Sequence, residues 1–353
     1  MPTQEIPVGL VGYGFAGQTF HAPVLSAVPG LKLAAVASGQ PDKVRAGWPD
    51  AAVQPDVHAL LAAHPDVQLV VVAAPNAAHF PVARAVLQAG RHVVVDKPFT
   101  LDAGEARELA ALASAQGKLI SVYQNRRFDS DFLTLREVLA GGQIGRPVFF
   151  ESHFDRYRPD VRVRWREQKV PGAGLWVDLG AHLMDQAVQL FGKPDSIQLD
   201  TAALREGAQV EDYFHAVLRW DHGPHAPLRA VLHAATLAAD PSPRYVLHGT
   251  RGSYVKYGAD PQEDALRSGA RPGGEGWGVD PDDGLLTLIG DAGQPEPAGV
   301  PTLAGDYTRY YAAIRDAILG TGANPVPPEQ AVQLMELLDL GRRSAEEGRA
   351  LAT

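Results

Sequence analysis

The sequence predicts an α/β protein: a doubly wound parallel sheet in its N-terminal third, then a second α/β domain on one large, open, mostly antiparallel sheet. Three observations predict it. Up to residue 123, short apolar runs alternate with Ala/Leu-rich stretches of helical length. A glycine triplet follows the first run directly, and beyond residue 124 several strand-like runs succeed one another across short turns. At roughly 100–200 residues per domain, 353 residues make two domains, placed at 1–123 and 124–353.

The apolar runs are Ile6–Val11, Leu31–Ala37, Leu69–Ala74, His92–Val95 and Leu119–Tyr123. The last four are near-continuous Val, Ile, Leu and Ala, as strands covered on both faces require. Ala77–Ala89 and Asp102–Gln116 read as intervening helices, and this alternation implies right-handed βαβ units. Pro23 should kink or end the helix that follows the first run. In the second domain, Asp129–Ala140 reads as a helix stopping at Gly141-Gly142, and a further helix crosses Trp176–Phe191. Strands are expected at Ser196–Leu204, Val210–Trp220, Leu228–Thr236 and Arg244–Gly249. Residues 258–300, rich in Gly, Pro and Asp, read as one long irregular segment of the functional or mobile kind. Helices at Thr302–Leu319 and Pro328–Glu347 close the chain and are expected to pack back on the first domain.

Composition narrows the function. With 45% hydrophobic and 21% charged residues, the chain can bury a core, which excludes disorder. Acids outnumber bases 41 to 32, a net charge of −9 that argues against nucleic acid and against an anionic membrane surface. There is no cysteine, so disulfides, thiol catalysis and Cys-based metal sites are excluded. The start MPTQEIPV has no basic segment, and no apolar run reaches about 18 residues, so a cytoplasmic location is expected.

The strongest local motif is Gly12-Tyr13-Gly14-Phe15-Ala16-Gly17, between a strand and an amphipathic stretch. That context is what the pattern needs to bind a dinucleotide. Gly12 permits a tight turn, Gly14 lets backbone approach a pyrophosphate, and Gly17 lets helix pack on strand. The second run ends Ala37-Ser38-Gly39-Gln40, where an NAD enzyme places an acid on the ribose; none is present. Ser38, with Lys43 and Arg45 close by, favours NADP over NAD. A third segment, Ala73-Ala74-Pro75-Asn76-Ala77-Ala78-His79, lies at the ligand-binding edge of a parallel strand, and Asn76 could equally be a helix N-cap.

Two groups carry candidate chemistry. Asp96-Lys97-Pro98 ends the fourth run, and the proline restricts Lys97 to an extended backbone. A lysine so held can hydrogen-bond a substrate hydroxyl or carbonyl, or it is a solvated loop lysine. In Asp178-Leu179-Gly180-Ala181-His182-Leu183-Met184-Asp185, the residues Asp178, His182 and Asp185 share one helical face. A carboxylate one turn from an imidazole can orient a general base. The same pair could bind a metal, for which no third ligand is evident and none is expected, or be a satisfied pair in a helix interface. Tyr157, Arg162, Arg164, Trp165 and Arg166 form a basic-aromatic stretch suited to a polyol or sugar, or a solvated loop with one buried ring.

The ordered motifs GYGFAG, APNAAH, DKP and DLGAHLMD resemble the glucose–fructose oxidoreductase/inositol dehydrogenase (Gfo/Idh/MocA) family over almost the whole chain. SVYQNRRFDSDFLTL, RYRPDVRVRWRE and KYGADPQEDALRSG further resemble its NADP-dependent scyllo-inositol dehydrogenase subgroup. The resemblance implies a Rossmann domain and a second domain whose open sheet forms a homodimer or homotetramer. It implies that Lys97, Asp178 and His182 are catalytic, that the Lys97–Pro98 bond is cis, and that Asn125 and Tyr157 line the substrate pocket. Asp96 stands where the family has Glu, and Ser38-Gly39 where the subgroup has Ser-Arg. The expected protein is an NAD(P)-dependent oxidoreductase, with a cofactor-binding sensor and an NAD-dependent glycoside hydrolase as the alternatives.

Overall fold

The computed structural model describes residues 5–240 and 242–353. They form two compact units, each assembled from separate stretches of chain. The first takes the chain up to Asn125, then Gln262–Trp277 and Asp306–Met335. The second takes Arg126–Pro261, Gly278–Gly305 and Glu336–Thr353.

In the first unit six parallel strands form one sheet: β1 (Ile6–Val11), β2 (Leu31–Ala37), β3 (Ala52–Gln54), β4 (Leu69–Val72), β5 (His92–Val95) and β6 (Ile120–Val122). Their order is β3-β2-β1-β4-β5-β6, the doubly wound arrangement. All four residues of β4 are buried, as the run of valines requires of a strand covered on both faces. The order reverses between β1 and β4, so ligands are expected beyond their carboxyl ends. Pro23 breaks nothing. Gly17–His21 forms a π-helical turn, and a short helix restarts at Ala22–Ser26 with the proline in its first turn, where no N–H is needed. Strand β3, only three residues long, has no alternation to announce it.

The helix Thr308–Ile318 clusters with this unit. Tyr310 and Tyr311 are fully buried, and the Tyr310 hydroxyl donates to Ser121 Oγ at 2.9 Å.

The second unit carries a nine-stranded sheet: β7 (Pro147–His153), β8 (Ser196–Ala202), β9 (Tyr213–Trp220), β10 (Leu228–Ala235), β11 (Tyr245–Gly249), β12 (Gly252–Lys256), β13 (Gly284–Ile289), β14 (Pro295–Val300) and β15 (Leu351–Ala352). Its order is β14-β13-β12-β11-β7-β10-β9-β8-β15; only β7 and β10 pair in parallel. Burial alternates strictly along β10, so one face is core and the other is open. The helix Ala181–Phe191 covers the core face, its Phe191 ring 5.4 Å from Phe150 and 5.7 Å from Trp220.

The irregular segment expected at 258–300 is corrected. It contains a helix, Gln262–Arg267, and the paired strands β13 and β14. β14 reads PEPAGV, and its two prolines argue against a strand. At the edge of the sheet the missing N–H groups cost no ladder bonds, which is why the structure tolerates them. No helix among the described residues is long and apolar enough to cross a membrane.

Candidate active site

The glycine turn is shaped by three different demands. Gly12 has φ +95°, and a Cβ there would sit 2.5 Å from the Ala73 carbonyl oxygen. At Gly17 a Cβ would meet the Gly12 carbonyl oxygen at 2.1 Å, so helix and turn touch only because both lack side chains. Nothing lies within 4 Å of a Cβ built on Gly14, which is exposed. This open cradle at the start of a helical turn, beside the switch point of the sheet, fits a dinucleotide pyrophosphate. Ala16 is the residue before the π-helical turn. Tyr13 is buried with its hydroxyl bonded to the Trp48 side chain, while Phe15 is 51% exposed.

Ser38 directly follows β2, and its Oγ accepts the N–H of Gln40 at 3.0 Å, just before the helix Pro41–Gly47. Arg45 on that helix pairs with Asp42 at 3.2 Å on the exposed surface. After β4, Ala74 and Pro75 lead into a 3₁₀ turn that begins at the buried Asn76. Asn76 is not the helix cap: that position belongs to Ala78. His79 is buried with Nδ1 2.8 Å from Pro98 O and Nε2 2.9 Å from Ala74 O. Both ring nitrogens therefore face the protein's own carbonyls, and the one that carries the proton donates to its carbonyl, setting the third segment beside the Lys97–Pro98 segment. Burial holds the imidazole below its ordinary pKa, against an opposing pull from Asp96 and the carbonyls.

The Lys97–Pro98 peptide is cis, as the resemblance implied. Lys97 is half-buried, and its N–H donates to Asp96 Oδ1 at 2.9 Å. Asp96 also lies 3.6 Å from Nε2 of the fully buried His21, whose Nδ1 hydrogen-bonds the Tyr311 hydroxyl at 2.6 Å. Burial alone would raise the Asp96 pKa; His21, Lys97 and His79 together hold it below the usual carboxylate range. Burial pushes Tyr311 well above an ordinary phenol, with Tyr123, Tyr310 and Asp96 adding to it. His21 and Tyr311 escape a sequence reading because 290 residues separate them.

Asn125 is buried at the start of a 3₁₀ turn, Asn125–Phe128. In the second unit, Asp178 sits in a π-helical turn, Trp176–Gly180, that runs into the helix Ala181–Phe191. The wider turn alters the spacing assumed for one shared helical face, and the three residues have different surroundings. Asp178 is part-exposed, its Oδ1 3.6 Å from Arg166 Nε. His182 is buried, 4% exposed. Asp185 is held by Arg127 through two hydrogen bonds, Nε to Oδ2 at 2.8 Å and a terminal nitrogen to Oδ1 at 2.6 Å. That makes Asp185 a structural anchor.

Arg166 links two of the sequence candidates, since its guanidinium also stacks 4.5 Å over the Trp165 ring. Asp178, Arg166, Arg156, Arg158 and Glu211 line one concavity of this unit. Tyr157 is 60% exposed and bridges by backbone to Leu237. The loop around Trp165 is organised by Glu167, unremarked in the sequence, which accepts from Arg162 N, Arg164 Nε and Arg205. Elsewhere, His153, Asp155 and His233 bring ligand atoms within 4.8 Å of one another; strand pairing assembles them, so no local spacing points to them.

A doubly wound sheet with an open glycine cradle at its switch point, and an anchored lysine at the end of a neighbouring strand, defines a nucleotide-dependent oxidoreductase. Residues 6–124 match the oxidoreductase family's NAD-binding Rossmann fold, and residues 136–353 match its C-terminal alpha/beta domain. The chain belongs to the Gfo/Idh/MocA family of oxidoreductases. It is 52% identical over 344 residues to the uncharacterized oxidoreductase YdgJ of Escherichia coli K12, covering 98% of this chain and 97% of that one. It is 36% identical over 350 residues to the scyllo-inositol 2-dehydrogenase (NADP(+)) IolW of Bacillus subtilis 168, covering 98% and 95%. The solved structure of YPO2259 from Yersinia pestis superposes with a TM-score of 0.94 at 50% identity, covering 99% and 97%.

Proposed function

We propose that this oxidoreductase interconverts a secondary alcohol and the matching ketone of a cyclitol, polyol or sugar, with NADP as the favoured coenzyme. The observation that carries the reading is the anchoring of Lys97. Its backbone is tied to Asp96, and its neighbour Pro98 is tied through His79 to the segment after β4. The residues around the cradle, Gly12 to Gly17, Ser38, Ala74 to Asn76, Asp96 and Lys97, would hold the coenzyme; His79 would hold the segments in place.

The nicotinamide coenzyme, when bound, supplies the hydride acceptor and donor. Lys97 would hydrogen-bond the substrate oxygen and stabilise the charge that develops on it. His182 would take the hydroxyl proton, with Asp178 positioning it. Asn125, Tyr157 and Trp165 would contact substrate hydroxyls and ring carbons. IolW, by its name an NADP-dependent scyllo-inositol dehydrogenase, supports an inositol as the first substrate to try. The open face of the nine-stranded sheet would pair with further copies of the chain, as a homodimer or homotetramer.

The test is formation of reduced nicotinamide from NADP and NAD separately, against inositols, aldoses and diols. Turnover of an inositol or sugar, faster with NADP, is expected. Lys97→Ala should lower kcat by about 10²–10³-fold. His182→Ala should lower it by about 10²–10⁴-fold, with coenzyme affinity near wild type in both. Coenzyme that binds but never turns over on any polyol would overturn the reading in favour of a sensor or a hydrolase.

A further inference from the structure

Two arginines of the first unit come from a segment far along the chain and lie over two aromatic rings, one within the glycine motif and one bonded to it. The helix Gln262–Arg267 is pinned by buried Leu266 and by Gln262, whose Oε1 accepts the Tyr307 N–H at 2.8 Å. From there Arg267 reaches over the ring of Phe15, within the glycine motif, with Cζ 5.8 Å from the centroid. Four residues later Arg271 lies over Trp48, 5.4 Å from that centroid. Trp48 closes the helix that starts just after Ser38, and Tyr13 of the glycine motif bonds to it. The two rings thus mark two positions: Phe15 within the glycine motif, and Trp48 at the far end of the helix Pro41–Gly47 that follows β2, bonded to that motif through Tyr13.

The cations differ in what they have already spent. Arg267 is shared with Glu263 at 3.8 Å and Asp264 at 3.9 Å. Among the described residues Arg271 has no ion-pair partner, and it is exposed. An exposed guanidinium lying over an indole without an ion-pair partner has N–H groups available to a phosphate, which a planar fork suits. At the end of β2 the residue after Ser38 is glycine, so no cation comes from that position. Arg45 on the following helix is paired with Asp42.

We propose that Arg271, stacked on Trp48, is the residue that binds the 2′-phosphate of NADP and sets coenzyme preference, in partnership with Ser38. Arg267, stacked on Phe15, adds a charge at the pyrophosphate that both coenzymes share. This rests on the NADP reading above but not on any substrate. It explains how an enzyme without a cation directly after Ser38 discriminates for the phosphorylated coenzyme.

The test is equilibrium binding of NADP, NAD, 2′,5′-ADP and 5′-AMP to the full-length protein, followed by calorimetry. Arg271→Ala should weaken NADP and 2′,5′-ADP by about 10- to 100-fold, leaving NAD and 5′-AMP within about twofold, the effect of losing one charge-assisted contact. Arg271→Lys should recover part of the loss. Arg267→Ala should weaken NADP and NAD by the same factor. Equal effects of Arg271→Ala and Arg271→Lys on both coenzymes, no effect on either, or wild-type protein that prefers NAD would each overturn the proposal. Wild-type protein that binds neither coenzyme would overturn the functional reading beneath it, so the two failures are distinguishable.

Discussion

Gly12, Gly14 and Gly17 are all glycine for different reasons, so substituting each with alanine separates folding from coenzyme binding. Gly12→Ala should cost about 1–3 kcal/mol for its left-handed backbone, plus the collision with Ala73. Gly17→Ala also pushes backbone apart and should lower the melting temperature. Gly14→Ala meets open space, so stability should stay within about 0.5 kcal/mol. The added methyl would nonetheless stand where the pyrophosphate approaches, so calorimetry should show weakened NADP and NAD with an unchanged melt. Gly39 is also open: a Cβ there meets nothing within 4 Å. Gly39→Arg should therefore fold normally and raise the NADP-to-NAD affinity ratio. At this scale the cradle was legible, because each demand acts within a few residues of the chain. The setting of the His79 ring was not, since only the fold brings Pro98 O and Ala74 O to its two nitrogens.

Among the elements, strand pairing creates chemistry that no single strand shows. His153 on β7 lies opposite His233 on β10, with ring centroids 5.4 Å apart. Asp155 lies 3.5 Å from the first ring and 3.3 Å from the second. Burial opposes charging His153, but Asp155 and Glu151 outweigh it and raise its pKa above 6.5. Burial lowers the pKa of His233, and the neighbouring His153 and His215 add to that, against Asp155. The signs follow from these directions. His153 contributes stability that is complete below its unfolded value of about 6.5 and is lost as pH rises through the raised folded value. His233 contributes stability present above about 6.5 and lost as pH falls through its lowered value. His153→Gln should therefore flatten the decline in stability above pH 6.5, measured by urea titration at stepped pH. An unchanged slope would show that His153 does not titrate there.

The π-helical turn before Ala181 is a second device of this kind. A Cβ on Gly180 would stand 2.5 Å from the Trp176 ring, so Gly180→Ala should displace the turn that carries Asp178. It should lower kcat and the melting temperature together. The helix was legible at 176–191 from its apolar period, but its wide first turn was not, since it reflects the packing of the Trp176 ring rather than propensity.

On the scale of the whole molecule, each unit is assembled from stretches far apart in sequence. Within the first unit, Tyr310 packs edge-on to Tyr123 at 4.9 Å, and Tyr311 lies 5.5 Å from the same ring. A fragment ending at Asn125 lacks both, each worth on the order of 3–5 kcal/mol by analogy with truncating a large buried ring. It should lose cooperative thermal unfolding, as circular dichroism would show. A fragment that melts cooperatively near the full chain's temperature would mean those rings contribute little.

By itself the sequence determined five of the six strands of the first sheet, the glycine cradle and the family motifs along the chain. Those signals are local: a hydrophobic period, a required φ, a backbone restricted by the proline after it. Tertiary structure alone decided that two prolines could occupy an edge strand, and that Tyr311 would meet His21 beside Asp96. It also placed arginines from residues 267 and 271 on the rings of Phe15 and Trp48. Contacts between residues more than 200 positions apart leave no mark in a local pattern. Their energies exist only after the intervening chain has folded and closed the loop between them.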